Sequence, residues 1–116
     1  MLVNRTKNRV ISEGVKIAGN ALERAKGLMF EKPEKFDYAM VFIFQQEARI
    51  ESSIHMMFVF FPIDAVYLDA KKKIVDIARN LKPFALNYTP KKAAKYLIEL
   101  PAGRADSIEV GDVLEW

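Results

Sequence analysis

The stretch IDAVYLDAKKKIVDIA, residues 63–78, decides the architecture. Two apolar runs of strand length, Ile63–Leu68 and Ile74–Ala78, flank the polar, lysine-rich connection Asp69–Lys73. Their β-branched, aromatic and aliphatic content suits a pleated surface, and the short polar break predicts an antiparallel hairpin. Ala65, Val66, Tyr67 and Leu68 are consecutive apolar residues, so both faces of this strand are apolar and both must be covered. Asp76 in the second strand predicts that one of its faces meets solvent.

Working outward, Met40–Phe44 and Ile54–Phe60 also have strand composition. Tyr96–Leu100 is a further strand, ended by Pro101 with Gly103 as the turn residue. Val110, Gly111 and Asp112 make a turn before a last strand, Val113–Trp116. Near the start, the apolar positions of Arg9–Ala18 are interrupted by Glu13 and Gly14, which predicts a hairpin of two short strands. Asn20 as N-cap, Glu23 as its capping-box partner and Gly27 as a left-handed stop delimit a two-turn helix. Thr89 and Pro90 form an N-cap and first-turn signature, predicting a second short helix over Lys91–Lys95. The expected fold is a β-rich α+β single domain over residues 1–116. It has six to eight short, mostly antiparallel strands in a barrel-like arrangement, with two or three short helices.

The chain has 116 residues, 51% of them hydrophobic and 28% charged, with one histidine and no cysteine. That composition excludes disulfides, CxxC redox pairs and thiolate metal sites, and one histidine cannot build a His-rich zinc centre in a monomer. No metal and no cofactor are expected. The longest apolar run, Met56–Ile63, is far short of the roughly 18 residues needed to span a bilayer. The N-terminus lacks a signal-peptide pattern, so a cytoplasmic protein without a membrane partner is expected. Twelve Lys, nine Glu and no Cys also suit a thermophile.

Charge is unevenly distributed. Lys71 to Lys95 holds eight basic side chains and one acid, whereas Glu99 to the end holds five acids and one arginine. The two segments can neutralise one another, or the first can meet a polyanion through Lys82, Lys91 and Lys92, with Phe84 and Tyr88 available to stack on bases.

Five blocks in order carry a family resemblance: RAKGLM (24–29), MVFIF (40–44), HMMFVFFPIDAVYLD (55–69), LIELPAG (97–103) and VGDV (110–113). Together they resemble the domain of unknown function 192 family. The resemblance implies a small, β-rich, stand-alone prokaryotic domain with no established activity. The family pattern before the proline reads Trp-Met-Lys-Asn-Thr; here His55 stands for the Trp, and Met57, Phe58 and Val59 replace the polar trio. Any site lined by that trio in relatives is greasier or absent here. Ala39 stands where the family usually has a glycine.

The candidate site residues are Arg24, His55, Asp64 and Arg104. His55 is the one side chain that titrates near neutrality without a large shift. Asp64 opens an otherwise apolar strand, so its carboxylate either accepts from turn amides, pairs with an arginine, or orients a ligand. Arg24 and Arg104 suit bidentate capture of a carboxylate or phosphate, or pairing with an internal acid. The expected function is a small-ligand module for an anionic or apolar molecule rather than an enzyme. Two alternatives stand beside it: a polyanion or nucleic-acid accessory protein, and a hydrolase using His55 and Asp64.

Overall fold

A computed structural model describes residues 1–18, 27–29, 31–48, 59–84 and 88–116. Eight strands are present among the described residues: β1 (Leu2–Asn4), β2 (Arg9–Ser12), β3 (Val15–Ala18), β4 (Ala39–Ala48), β5 (Ile63–Leu68), β6 (Ile74–Leu81), β7 (Ala94–Pro101) and β8 (Leu114–Glu115). They form a three-stranded sheet, β2-β1-β8, and a five-stranded sheet, β3-β4-β7-β5-β6. Only the β3–β4 pair is parallel.

The hairpin read from residues 63–78 is present. β5 pairs with β6, with Val66 opposite Ile77. Every residue of β5 is buried, as its two apolar faces require, because β7 and β6 flank it and a cluster of side chains covers each face. One face contributes Val66, Leu68, Val41, Ile98 and Leu100, and packs against Leu2, Ile11 and Leu114 of the smaller sheet. The other contributes Ala65, Tyr67, Phe42 and Leu97, and is covered by Leu28, Phe36, Tyr38, Val59 and Phe61.

The structure corrects five expectations. The sheets do not close into a barrel: their ladders end at separate edges. They are joined by one bridge, Lys73 to Val113, and by main-chain bonds such as Ile74 N–H to the Asp112 carbonyl at 2.8 Å. The two or three helices reduce, among the described residues, to a single 3-10 turn, Pro33–Lys35; the helix read over Asn20–Lys26 lies outside those residues. Gly27 at its end does have a left-handed φ of 50°. The expected helix at Lys91–Lys95 is replaced by a bend that leads into β7 at Ala94. There the Lys91 N–H donates to Asp76 and Ala94 pairs with Ala48, so tertiary partners outweigh the local capping signature.

The Arg9–Ala18 hairpin is a crossing instead. β2 folds back on β1, while β3 joins β4 in the other sheet. Gly14 sits at the changeover, its carbonyl accepting from Ala39 N–H and the Ser12 hydroxyl. A Cβ there would stand 3.2 Å from that of Tyr38, so the close approach of the two segments suits glycine. Finally, Asp76 is buried rather than solvent-facing; its carboxylate accepts from the Tyr88 hydroxyl at 2.7 Å and from the amides of Ile77 and Lys91. Of the strand read over Ile54–Phe60, residues 54–58 fall outside the described set, and Val59 and Phe60 are not in a strand.

Asp64 fixes the turn after β7. Its carboxylate accepts from Asn80 N–H at 2.9 Å, Gly103 N–H at 2.9 Å and Ala105 N–H at 3.0 Å. A side chain 1% exposed thereby ties β6 and the β7–β8 connection to β5. Asp64→Ala strands three amides at once and is expected to lower unfolding stability by about 3–9 kcal/mol, since each buried donor left unsatisfied costs about 1–3 kcal/mol. Asp64→Asn, which keeps one acceptor oxygen, loses less. Denaturant unfolding measures both, and a loss below about 1 kcal/mol for the alanine variant contradicts the role.

Candidate functional site

Of the four residues singled out in the sequence, Arg24 and His55 lie outside the described residues. Asp64 and Arg104 are neighbours, because the amides flanking Arg104 bind the Asp64 carboxylate. The Arg104 side chain is exposed, and no ion pair joins the two among the described residues. Asp64 is thus engaged by main chain. No group of three or more metal-ligating side chains occurs among the described residues.

The unusual chemistry lies on the opposite face of the same sheet. Strand register sets two rows of side chains there, one residue from each strand: Lys16, Met40, Glu99, Ala65 and Ala78, then Ala18, Phe42, Leu97, Tyr67 and Asp76. Four acids are buried among the described residues: Asp64, Asp76, Glu99 and Asp112. Three are supplied with donors; Asp112, for instance, accepts from the Asn4 side-chain amide at 2.8 Å and Glu109 N–H at 3.1 Å. Glu99 is the exception. It is 6% exposed, and its Oε1 has no hydrogen-bond partner. The Tyr67 hydroxyl, its diagonal neighbour, is also buried without one.

Burial with no compensating cation favours the neutral acid and pushes the Glu99 carboxyl up to about 8. Burial, then the nearby Glu99 carboxyl, likewise pushes the Tyr67 phenol up. Tyr88 stacks on Tyr67 with ring centres 6.0 Å apart, and burial together with its bond to Asp76 pushes it up to about 12.

At the β3–β4 end of the rows, a cleft of about 170 Å³ is lined by Lys16, Ile17, Ala18, Gly27, Glu31, Tyr38 and Met40. Met40 belongs to this lining and is the direct cross-strand partner of Glu99. The Lys16 ammonium lies 4.2 Å from the centre of the Tyr38 ring.

The sequence reading missed Glu99 by counting it with the acidic tail. A usable signal was present: Glu99 alternates with Leu97 in the otherwise apolar run Tyr96–Pro101, and such a strand next to β5 has both faces covered.

Because the Glu99 carboxyl titrates higher folded than its ordinary 4.5, the folded state holds the proton more tightly. The stability linked to that proton is complete below about pH 4.5 and is lost as the pH rises toward about 8. Glu99→Gln lacks this dependence. The stability of the variant relative to wild type is therefore expected to rise between pH 5 and 8, by on the order of a few kcal/mol. Denaturant unfolding at several pH values measures this, and parallel profiles contradict it.

Comparison with known proteins places the whole chain. The family model DUF192, described as an uncharacterized ACR, matches residues 2–116. A UPF0127 protein of Pyrococcus horikoshii is 44% identical over 100% of this chain and 98% of its own length. One from Thermococcus sibiricus is 42% identical, covering 100% of this chain and 74% of its own. These relatives come from thermophilic archaea. A crystal structure of a protein of unknown function from Novosphingobium aromaticivorans superposes with a TM-score of 0.87 at 24% identity, over 99% of this chain and 82% of that one. A Sinorhizobium meliloti protein, described as a candidate transcription regulator, superposes at 0.84 and 24% identity, over 98% and 88%. At that identity the likeness carries the fold alone. No helix among the described residues is long and apolar enough to cross a membrane. The chain, matched from residue 2 to residue 116, belongs to the DUF192 family of uncharacterised proteins.

Proposed function

We propose that this protein is a binding module for a small molecule, seated in the cleft over Lys16, Ala18, Tyr38 and Met40. The observation that carries the reading is a buried carboxyl oxygen without a hydrogen-bond partner on Glu99, the cross-strand neighbour of Met40 in the lining of an open cleft, since buried polar groups without partners are rare and concentrate where something else binds. The cleft is slightly larger than the roughly 150 Å³ cavity that holds a benzene ring, so the ligand, or the part of it that enters, has about six to eight heavy atoms. This seat is preferred to the set Arg24, His55, Asp64 and Arg104 because three amides occupy Asp64. The same occupancy weakens a hydrolase reading that uses His55 with Asp64 as a free carboxylate.

The test is amide shift mapping on the full chain with a library of fragments of that size. Binding is expected to move the signals of Lys16, Tyr38 and Met40 together. Fragments that shift only residues elsewhere, or none that shift anything at millimolar concentration, overturn the reading.

A second reading rests on a different observation. Phe60 and Phe84 are each 51% exposed and meet edge to face at 5.3 Å, near Lys82 in sequence. Lys82, Lys91 and Lys92 are exposed and form no ion pair among the described residues. This suits a single-stranded nucleic acid or another polyanion, although Tyr88 is withdrawn from stacking by Asp76 and Tyr67. If it holds, affinity for a single-stranded oligonucleotide falls steeply with salt, and the log–log slope drops by about one for each of the three lysines removed. Salt-independent binding, or none at low salt, excludes it.

A further inference from the structure

The cleft residues alone do not define the chemistry of the ligand; the two orphaned groups behind them do. Glu99 and Tyr67 project from adjacent rows of one sheet face, and both are within the reach of long side chains on diagonal sites. Among the described residues, neither the Tyr67 hydroxyl nor Glu99 Oε1 has a hydrogen-bond partner. No cation pairs with Glu99 among the described residues. Lys16, the nearest base on its row, is engaged with the Tyr38 ring. A carboxyl so placed is held as the neutral acid, and a buried phenol is neutral as well. Each therefore presents an O–H, and each lacks an acceptor.

We infer that Glu99 and Tyr67 form a two-hydroxyl seat for an oxygen acceptor, the carbonyl or carboxylate head of a molecule whose apolar part rests in the cleft. The inference depends on the ligand-binding reading of that cleft. An acceptor oxygen satisfies both orphaned donors at once, whereas an ammonium head brings only more donors. Lys16 on the rim adds positive charge that favours an anionic head over a cationic one, with Glu31 opposing it. Ala18, in the cleft lining, and Ala65, the cross-strand neighbour of Glu99, are both small side chains on this face. The same arrangement, a neutral carboxylic acid and a tyrosine donating to one oxygen, is known to hold an oxyanion in other proteins.

Among the described residues, the groups facing Glu99 are Tyr67 on β5, Asp76 beyond it on β6, Lys16 on β3, and Tyr38 and Glu31 over the cleft. Burial raises the Tyr38 and Tyr67 phenols above their ordinary value, so both stay neutral from pH 6 to 9. The donor form of Glu99 is thus the group that titrates there, and loss of its proton near pH 8 abolishes the seat.

The experiment uses three five-carbon probes with different heads: pentanoate, pentanamide and pentylammonium. Their binding to the full chain is followed by amide shifts and titration. Pentanoate and pentanamide are expected to bind more tightly than pentylammonium. Glu99→Met, which removes the donor and keeps the volume, should weaken pentanoate at least about tenfold, and Tyr67→Phe several-fold. Both substitutions remove an unsatisfied buried group, so the variants are expected to fold at least as stably as wild type. Pentanoate affinity should fall tenfold per pH unit above about 8 in wild type, and stay level in Glu99→Gln, which keeps an N–H donor that does not titrate. Affinity that rises with pH, or that is unchanged in Glu99→Met, overturns the inference. If all three probes shift Lys16, Tyr38 and Met40 equally, the cleft binds ligands and only the acceptor seat fails. If none shifts them at millimolar concentration, both readings fail.

Discussion

Burial of one sheet on both faces is the constraint from which the rest of this structure follows. β5 lies between β7 and β6 with all six residues inside, so each polar atom placed on it or beside it must be satisfied internally or left at a cost of a few kcal/mol. Asp64 shows the first outcome. Its carboxylate gathers three amides from two other segments and so sets the geometry of the connection leading to β8. Glu99, one residue opposite Ala65 on the adjoining strand, shows the second. Two acids of similar burial thus have opposite character: one is a strut between segments of chain, the other a group whose hydrogen-bonding capacity is unused.

The face on which each acid lies explains the difference. Asp64 points toward the side packed on the smaller sheet, where turns bring main-chain N–H groups close. Glu99 points toward the side covered by Leu28, Phe36, Tyr38, Val59 and Phe61, whose side chains supply apolar surface and rings. An acid facing aromatic carbon is pushed toward its neutral form, whereas an acid facing amides finds its hydrogen-bond donors there.

Much of this was legible in the residues and some was not. The hairpin at 63–78, the double coverage of β5 and the turn glycines Gly103 and Gly111, with φ of 97° and 100°, follow from local composition. The pairing partners of β2 and β3 do not, because a glycine between two short apolar runs marks a change of direction without naming the strand that receives it. Thr89-Pro90 reads as a helix start locally, but Asp76, fifteen residues away from Lys91, supplies the competing bond. Asp76 itself reads as solvent-facing until Tyr88 is brought over it. The candidate site was partly legible: Asp64 was identified as needing amides or a partner, while the isolation of Glu99 depends on cross-strand register that no single segment encodes.

The joining of β1 to β8 has a kinetic side. Asn4 reaches Asp112, Arg5 pairs with Glu115, and Val3 sits opposite Glu115, so the middle strand of the smaller sheet needs residues more than a hundred positions away. Contacts that distant close a long loop before they return any energy, and folds that rely on them form slowly. The β5–β6 hairpin, by contrast, closes over a five-residue connection. Order in this chain is therefore expected to grow from its middle outward, with the surface that receives β1 present before β1 has a place on it. During synthesis, β1 has β2 at hand at once and waits for β8, which is made more than a hundred residues later.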